Sequence, residues 1–105
     1  MDTTITVRHC EIPDALREHA AAVAERVAGV ASRPMETTVV FDMEGVECVA
    51  ELRLHVAGGE LLVARGEGPD HRTALDRAEE RLKRQASRAS GRFKTARHAP
   101  DVNPS

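Results

Sequence analysis

There is no tryptophan and no tyrosine in these 105 residues, and phenylalanine occurs only twice. Reading unpaired bases by stacking needs exposed aromatic planes, so a base-stacking platform is not expected. Cysteine is also sparse. Cys10 and Cys48 lie far apart and in no paired motif, which reads as two reduced, packed thiols in a cytoplasmic chain. No apolar run approaches the ~20 residues needed to cross a bilayer. The opening Met1-Asp2-Thr3-Thr4 lacks the basic and apolar regions of a secretory leader. A membrane partner is therefore not expected. Internal repeats and low-complexity tracts are missing too, and the length fits a single domain with a modest core.

What the chain does have is arginine, concentrated near one end. The net charge of −2 conceals a strong asymmetry. Positions 1–70 carry six basic and thirteen acidic side chains, a net of −7; positions 71–105 carry nine and four, a net of +5. Between Arg81 and Arg97 there are seven basic residues (Arg81, Lys83, Arg84, Arg88, Arg92, Lys94, Arg97) and no acid. Arg77, Arg81, Arg84, Arg88 and Arg92 recur at spacings of 4, 3, 4 and 4, which at ~100° per residue forms one stripe on a helix. Leu75, Ala78, Leu82, Ala86, Ala89 and Phe93 form an apolar stripe rotated from it by roughly 120°. Such a helix docks by one face and presents guanidinium groups every ~6 Å on another. A row of forked donors at that pitch suits a polyphosphate backbone. The competing explanation is a solvated helix whose arginines pair with Glu79 and Glu80; the lack of acids between Glu80 and Asp101 leaves most of the arginines without a local partner. Polarity of this kind implies an oriented approach to an anionic surface, with recognition through phosphates and shape.

The remaining pattern supplies a scaffold. Thr3 to Arg8 is β-branched and alternating, a strand. Ile12-Pro13-Asp14 starts a helix, carried by Leu16, Ala20, Val23, Val27 and Val30 and stopped near Gly29. After the loop Ser32-Arg33-Pro34, Glu36 to Glu44 alternates with Thr37, Val39, Phe41 and Met43 on one side. Gly45 turns the chain. Val46 to Val56 has a clean period of two, with Val46, Cys48, Ala50, Leu52, Leu54 and Val56 on the inner side and Glu47, Glu51, Arg53 and His55 on the outer. Gly58-Gly59 signals a hairpin into a fourth strand, Glu60 to Arg65, whose inner row is either Leu61 and Val63 or Leu62 and Ala64. Gly66-Glu67-Gly68-Pro69 reads as a break. Asp70 caps a last helix from about His71 to Ser90, where Ser90-Gly91 looks like its stop. Residues 1–95 are expected to form the domain and 96–105 a flexible tail. The order β-α-β-β-β-α, with a right-handed crossover and tight turns, predicts an α+β fold: a four-stranded mixed sheet with both helices on one face. The other face should be solvated and mostly acidic.

Other chemistry finds little support. His9 and Cys10 are adjacent and point to opposite sides, and His19, His55, His71 and His98 show no paired ligand spacing, so no metal site is expected. Cys48 sits in an inner row as packing. Glu47 and Glu51 share a strand face without an apolar pocket. Gly66-Glu67-Gly68 matches no phosphate loop. No enzyme, cofactor or small-molecule substrate is indicated.

The residues also carry a family resemblance. Ile5-Thr6-Val7-Arg8-His9-Cys10-Glu11-Ile12 with Ala15-Leu16-Arg17-Glu18, then Ala50-Glu51-Leu52-Arg53-Leu54-His55-Val56 before Gly58-Gly59, resemble the ribosome hibernation promoting factors. These are also called ribosome-associated inhibitor or sigma-54 modulation proteins. Asp70 with Ala74-Leu75-Asp76, then Arg81-Leu82 and Arg84-Gln85, continue the match, which covers residues 4 to about 94. The resemblance implies a double-stranded-RNA-binding-like fold. It also implies a partner, the small ribosomal subunit and its rRNA, with binding in the channel used by messenger RNA and transfer RNA. The family's basic positions fall on Arg81, Arg84, Arg88 and Arg92, with Lys94 close by, and one in the first helix falls on Arg26. With Arg77 and Lys83 from the stripe region, these make the expected RNA-binding set. Departures are His71-Arg72 in place of a Met-Tyr pair, and Val23 at a usually basic position. The second, ribosome-pairing domain of long-form members is not expected here. The alternative is a protein-interaction module using the acidic sheet face, in keeping with the family's older sigma-factor name.

Overall fold

The computed structural model describes residues 2–31 and 33–97, with side chains described through residue 86. Six elements follow in order: β1 (Asp2–Val7), α1 (Asp14–Val30), β2 (Pro34–Glu44), β3 (Glu47–Val56), β4 (Leu61–Gly68) and α2 (His71–Arg97). The strands form one sheet in the order β1-β2-β3-β4. β1 runs parallel to β2, with Thr3 opposite Thr37 and Val7 opposite Phe41. The other pairs are antiparallel, Val39 facing Leu52 and Leu52 facing Ala64. This is the expected α+β architecture.

Strand periodicity sends Thr37, Val39, Phe41, Ala50, Leu52, Leu54, Leu62 and Ala64 to one face, where all are buried. Leu62 and Ala64 thus settle the inner row of β4, and Leu61 and Val63 face outward, 45% and 37% exposed. Helical periodicity supplies the covering layer: Leu16, Ala20, Val23, Ala24, Val27 and Ala28 from α1, and Ala74, Leu75, Ala78, Leu82 and Ala86 from α2. Both helices therefore lie on one side of the sheet and share a single core.

Four local readings change. Val46 is not the first inward residue of β3. It sits in the two-residue Gly45-Val46 turn, 93% exposed, because Gly45 at φ +60° tightens the hairpin that brings Glu44 opposite Glu47. Gly66-Glu67-Gly68 does not break the chain but extends β4 to Gly68, paired with Cys48. Ser90-Gly91 does not stop α2, which continues to Arg97. Cys48 is only half-buried, its Sγ 3.8 Å from the Pro69 carbonyl. Asp70 caps α2 as expected, its Oδ1 accepting from the Thr73 amide at 2.7 Å, and that hydrogen bond, ahead of other causes, lowers its carboxyl pKa. Residues 98–105, most of the expected tail, lie outside the described residues.

Candidate nucleic-acid interface

α2 is held on two flanks, and its cations belong to both. On the β4 flank, Gly66 lets the helix approach the strand closely. A Cβ at that position would stand 2.1 Å from the Ala74 carbonyl oxygen and 2.7 Å from the Ala78 nitrogen. With the helix this near, its side chains reach the unpaired carbonyls of β4, an edge strand. Arg77 Nη1 donates to the Glu67 carbonyl at 2.6 Å, Arg81 Nη1 to that of Arg65, and Gln85 Nε2 to that of Val63 at 2.8 Å. The ladder is commensurate because four helical residues advance ~6 Å and two strand residues ~6.8 Å. Arg77 and Arg81 remain exposed, and a guanidinium carries five donors, so one bond to a carbonyl leaves most of each fork facing outward.

On the α1 flank, Glu79 is a buried carboxylate, 8% exposed. Arg26 of α1 grips it side-on, Nε to Oε2 at 2.8 Å and Nη2 to Oε1 at 3.1 Å. Lys83, one turn further along α2, places Nζ 3.1 Å from the same Oε2. The Arg26 hydrogen bond is the main cause holding the Glu79 carboxyl below the usual glutamate value, against the opposing effect of burial, with Lys83 assisting. A free arginine or lysine side chain carries ~2 kcal/mol of rotamer entropy; here the carboxylate has already ordered both. His19 and Asp76 make a further contact between the helices, at 3.2 Å.

The structure thus places five residues of the expected set as follows. Arg77, Arg81 and Arg84 are exposed on α2; Arg26 and Lys83 converge on Glu79 between the helices. Arg84 makes no hydrogen bond or ion pair among the described residues. The side chains of Arg88, Arg92 and Lys94 lie outside the described residues. Contrary to the expectation that most arginines lack local partners, Arg77 and Arg81 are anchored, although by backbone carbonyls and not by carboxylates. Two contributors went unread in the sequence. Gln85 looks like a neutral surface residue, and beyond its place in the Arg84-Gln85 match its spacing of four from Arg81 was its signal. Glu79 reads as a solvated acid, and its spacing of four from Lys83 was the one local hint.

The outer sheet face is less uniformly acidic than its composition. Arg53 pairs with Glu51 at 2.8 Å, and Arg65 bridges Glu44 and Glu67. Val40 and Val49 are buried even on this side, each 5% exposed, walled by Arg8, Glu51 and Arg65. At one end of the sheet, His9 donates from Nδ1 to Asp42 Oδ1, and His71 donates from Nε2 to the Asp42 carbonyl, both at 2.9 Å. Burial pushes the Cys10 thiol above its ordinary value, the opposite of what an activated nucleophile needs. Among the described residues, no group of three or more His, Cys, Asp or Glu is arranged to hold a metal. No described helix is long and apolar enough to cross a membrane.

Sheet order, helix placement and chain order together define a class: small α+β domains of double-stranded-RNA-binding-like β-α-β-β-β-α topology. Within that class, the chain belongs to the family described as sigma 54 modulation protein / S30EA ribosomal protein, whose model matches residues 3–94. It is 33% identical over 94 residues to the ribosome hibernation promoting factors of Salmonella typhimurium and of Escherichia coli strain K12, covering 90% of this chain and 98% of each relative. Among solved structures it is similar to the N-terminal domain of Thermus thermophilus Protein Y, with a TM-score of 0.71 and 29% identity over 84% of this chain and 98% of that one. A ribosomal subunit interface protein from Coxiella burnetii shares the fold, with a TM-score of 0.72 at 18% identity over 87% and 99% of the two chains.

Proposed function

We propose that this protein is a cytoplasmic ribosome hibernation factor that occupies the messenger- and transfer-RNA channel of the small ribosomal subunit and holds there by α2. The carrying observation is the exposed row Arg77, Arg81 and Arg84, its first two members already oriented by β4 carbonyls. Family membership supports the ribosome as partner. Composition and geometry support the binding mode. With no tryptophan or tyrosine, contacts run to phosphates, and a helix of 27 residues is ~40 Å long, enough to lie along several phosphates of a structured RNA. The protein then acts as a steric plug: it needs affinity and position, and no bond is made or broken. The sheet face is the poorer docking surface, because three of its carboxylates already pair with Arg53 and Arg65, which leaves one net negative charge among the five groups.

The test is co-sedimentation with purified small ribosomal subunits. Binding should weaken steeply with monovalent salt, since each neutralised phosphate releases counterion. Changing Arg81, Arg84 and Arg88 together to Glu should abolish sedimentation while leaving the fold intact by circular dichroism. Undiminished binding by that folded variant would refute the helix as the gripping element.

A further inference from the structure

The Arg26–Glu79–Lys83 cluster has a property that the stripe does not share: its cations come from different helices and meet on one carboxylate oxygen. Arg26 reaches Oε2 at 2.8 Å and Lys83 reaches the same atom at 3.1 Å. The two positive groups therefore lie close enough for the oxygens of a single phosphate to contact both. Glu79 is buried beneath them, whereas the side chains of Arg26 and Lys83 are 47% and 41% exposed. Arg26 uses Nε and one hydrogen of Nη2 on Glu79, so Nη1 and the second Nη2 hydrogen are unused; Lys83 retains two of its three donors. The cluster carries one net positive charge, which one phosphodiester would neutralise.

We propose that this cluster is a preformed seat for one RNA backbone phosphate, bridging α1 and α2, and that Glu79 is its positioning residue. The proposal rests on the reading of the protein as an rRNA binder and adds to it a site and a role for an acid. Nothing in the exposed stripe requires α1 to touch RNA. The seat does, and it fixes the register of both helices on the backbone, because a phosphate held there sets where Arg77, Arg81 and Arg84 fall.

An unusual sign distinguishes the seat from general electrostatics. Removing a carboxylate from a nucleic-acid-binding face ordinarily tightens binding by reducing repulsion. If Glu79 positions the two cations, removing it loosens them and binding weakens despite the more favourable charge. The experiment compares the full-length chain with Glu79→Gln and Glu79→Leu by sedimentation with purified small ribosomal subunits across a salt series. Circular dichroism confirms folding. Leucine serves as the second variant because it fills the buried position without a polar group, while Arg26 and Lys83, both half-exposed, can turn to water once the carboxylate is gone. Both folded variants should bind about tenfold more weakly, the scale of one lost charge-assisted hydrogen bond. The log–log salt slope should fall by about one phosphate contact. Glu79→Asp, which keeps the charge, should recover part of the loss. Equal or tighter binding by a folded Glu79 variant, with an unchanged slope, overturns the seat alone. Failure of the unmodified chain to sediment overturns the ribosome reading and the seat with it.

Discussion

Glu79 shows how much a single side chain can organise. Its folded pKa is lowered, chiefly by the hydrogen bond from Arg26. A lowered carboxyl contributes stability above the unfolded glutamate value of ~4.3 and loses it as the pH falls through the folded value. Thermal denaturation from about pH 6 down to about pH 3 should therefore show a steeper fall in Tm for the unmodified protein than for Glu79→Gln; parallel curves would mean the carboxylate does not act as described. The arginines of α2 were legible in the sequence because periodicity alone puts Arg77, Arg81 and Arg84 on one stripe. The burial of Glu79 was not, because its cause is Arg26, 53 positions away on another helix. Val40 and Val49 escaped for a similar reason: they become buried on the solvated face only when long side chains from neighbouring strands fold over them.

At the scale of elements, the union of α2 with β4 decides the geometry of the candidate interface. Gly66→Ala should be severely destabilising, because the new methyl would meet backbone atoms of α2 at 2.1 Å and 2.7 Å and cannot be relieved by a rotamer change. A loss of about 3 kcal/mol or more in urea denaturation is expected, at the upper end of overpacking effects. Gly29→Ala is the matched control. It lies in α1 with nothing within 4 Å of the added carbon and should stabilise by roughly 0.5–1 kcal/mol through helix propensity. This junction also marks where sequence reading ran short. Most element cores were legible from alternation and 3.6-residue periods, but Gly66 and Gly68 read locally as a breaker. Their role depends on a helix pressed against the strand, which neighbouring residues do not announce. Ser90-Gly91 misled in the same way, since helix propensity alone does not fix where α2 ends.

Across the whole molecule, charge is segregated: a net of −7 over positions 1–70 and +5 over 71–105. Arg8, Arg53 and Arg65 temper the sheet side, so the asymmetry weakens there without vanishing. An oriented approach to an anionic target follows, and its signature is kinetic. Raising salt should slow association with small ribosomal subunits in stopped-flow measurements. Reversing Glu47 and Glu51 to Lys, on the sheet face opposite the helices, should leave the dissociation rate unchanged. A large change in that rate would bring the sheet face into the contact.

The carbonyl ladder from Arg77 to Gln85 governs more than arginine orientation. A sheet grows by recruiting foreign strands along its open margins, and this one has two margins, β1 and β4. Side chains of α2 occupy three acceptors of β4, leaving β1 as the more open side among the described residues. Two copies joined through β1 would consume each other's more open margin, so self-association by this route favours a closed pair over a growing fibre.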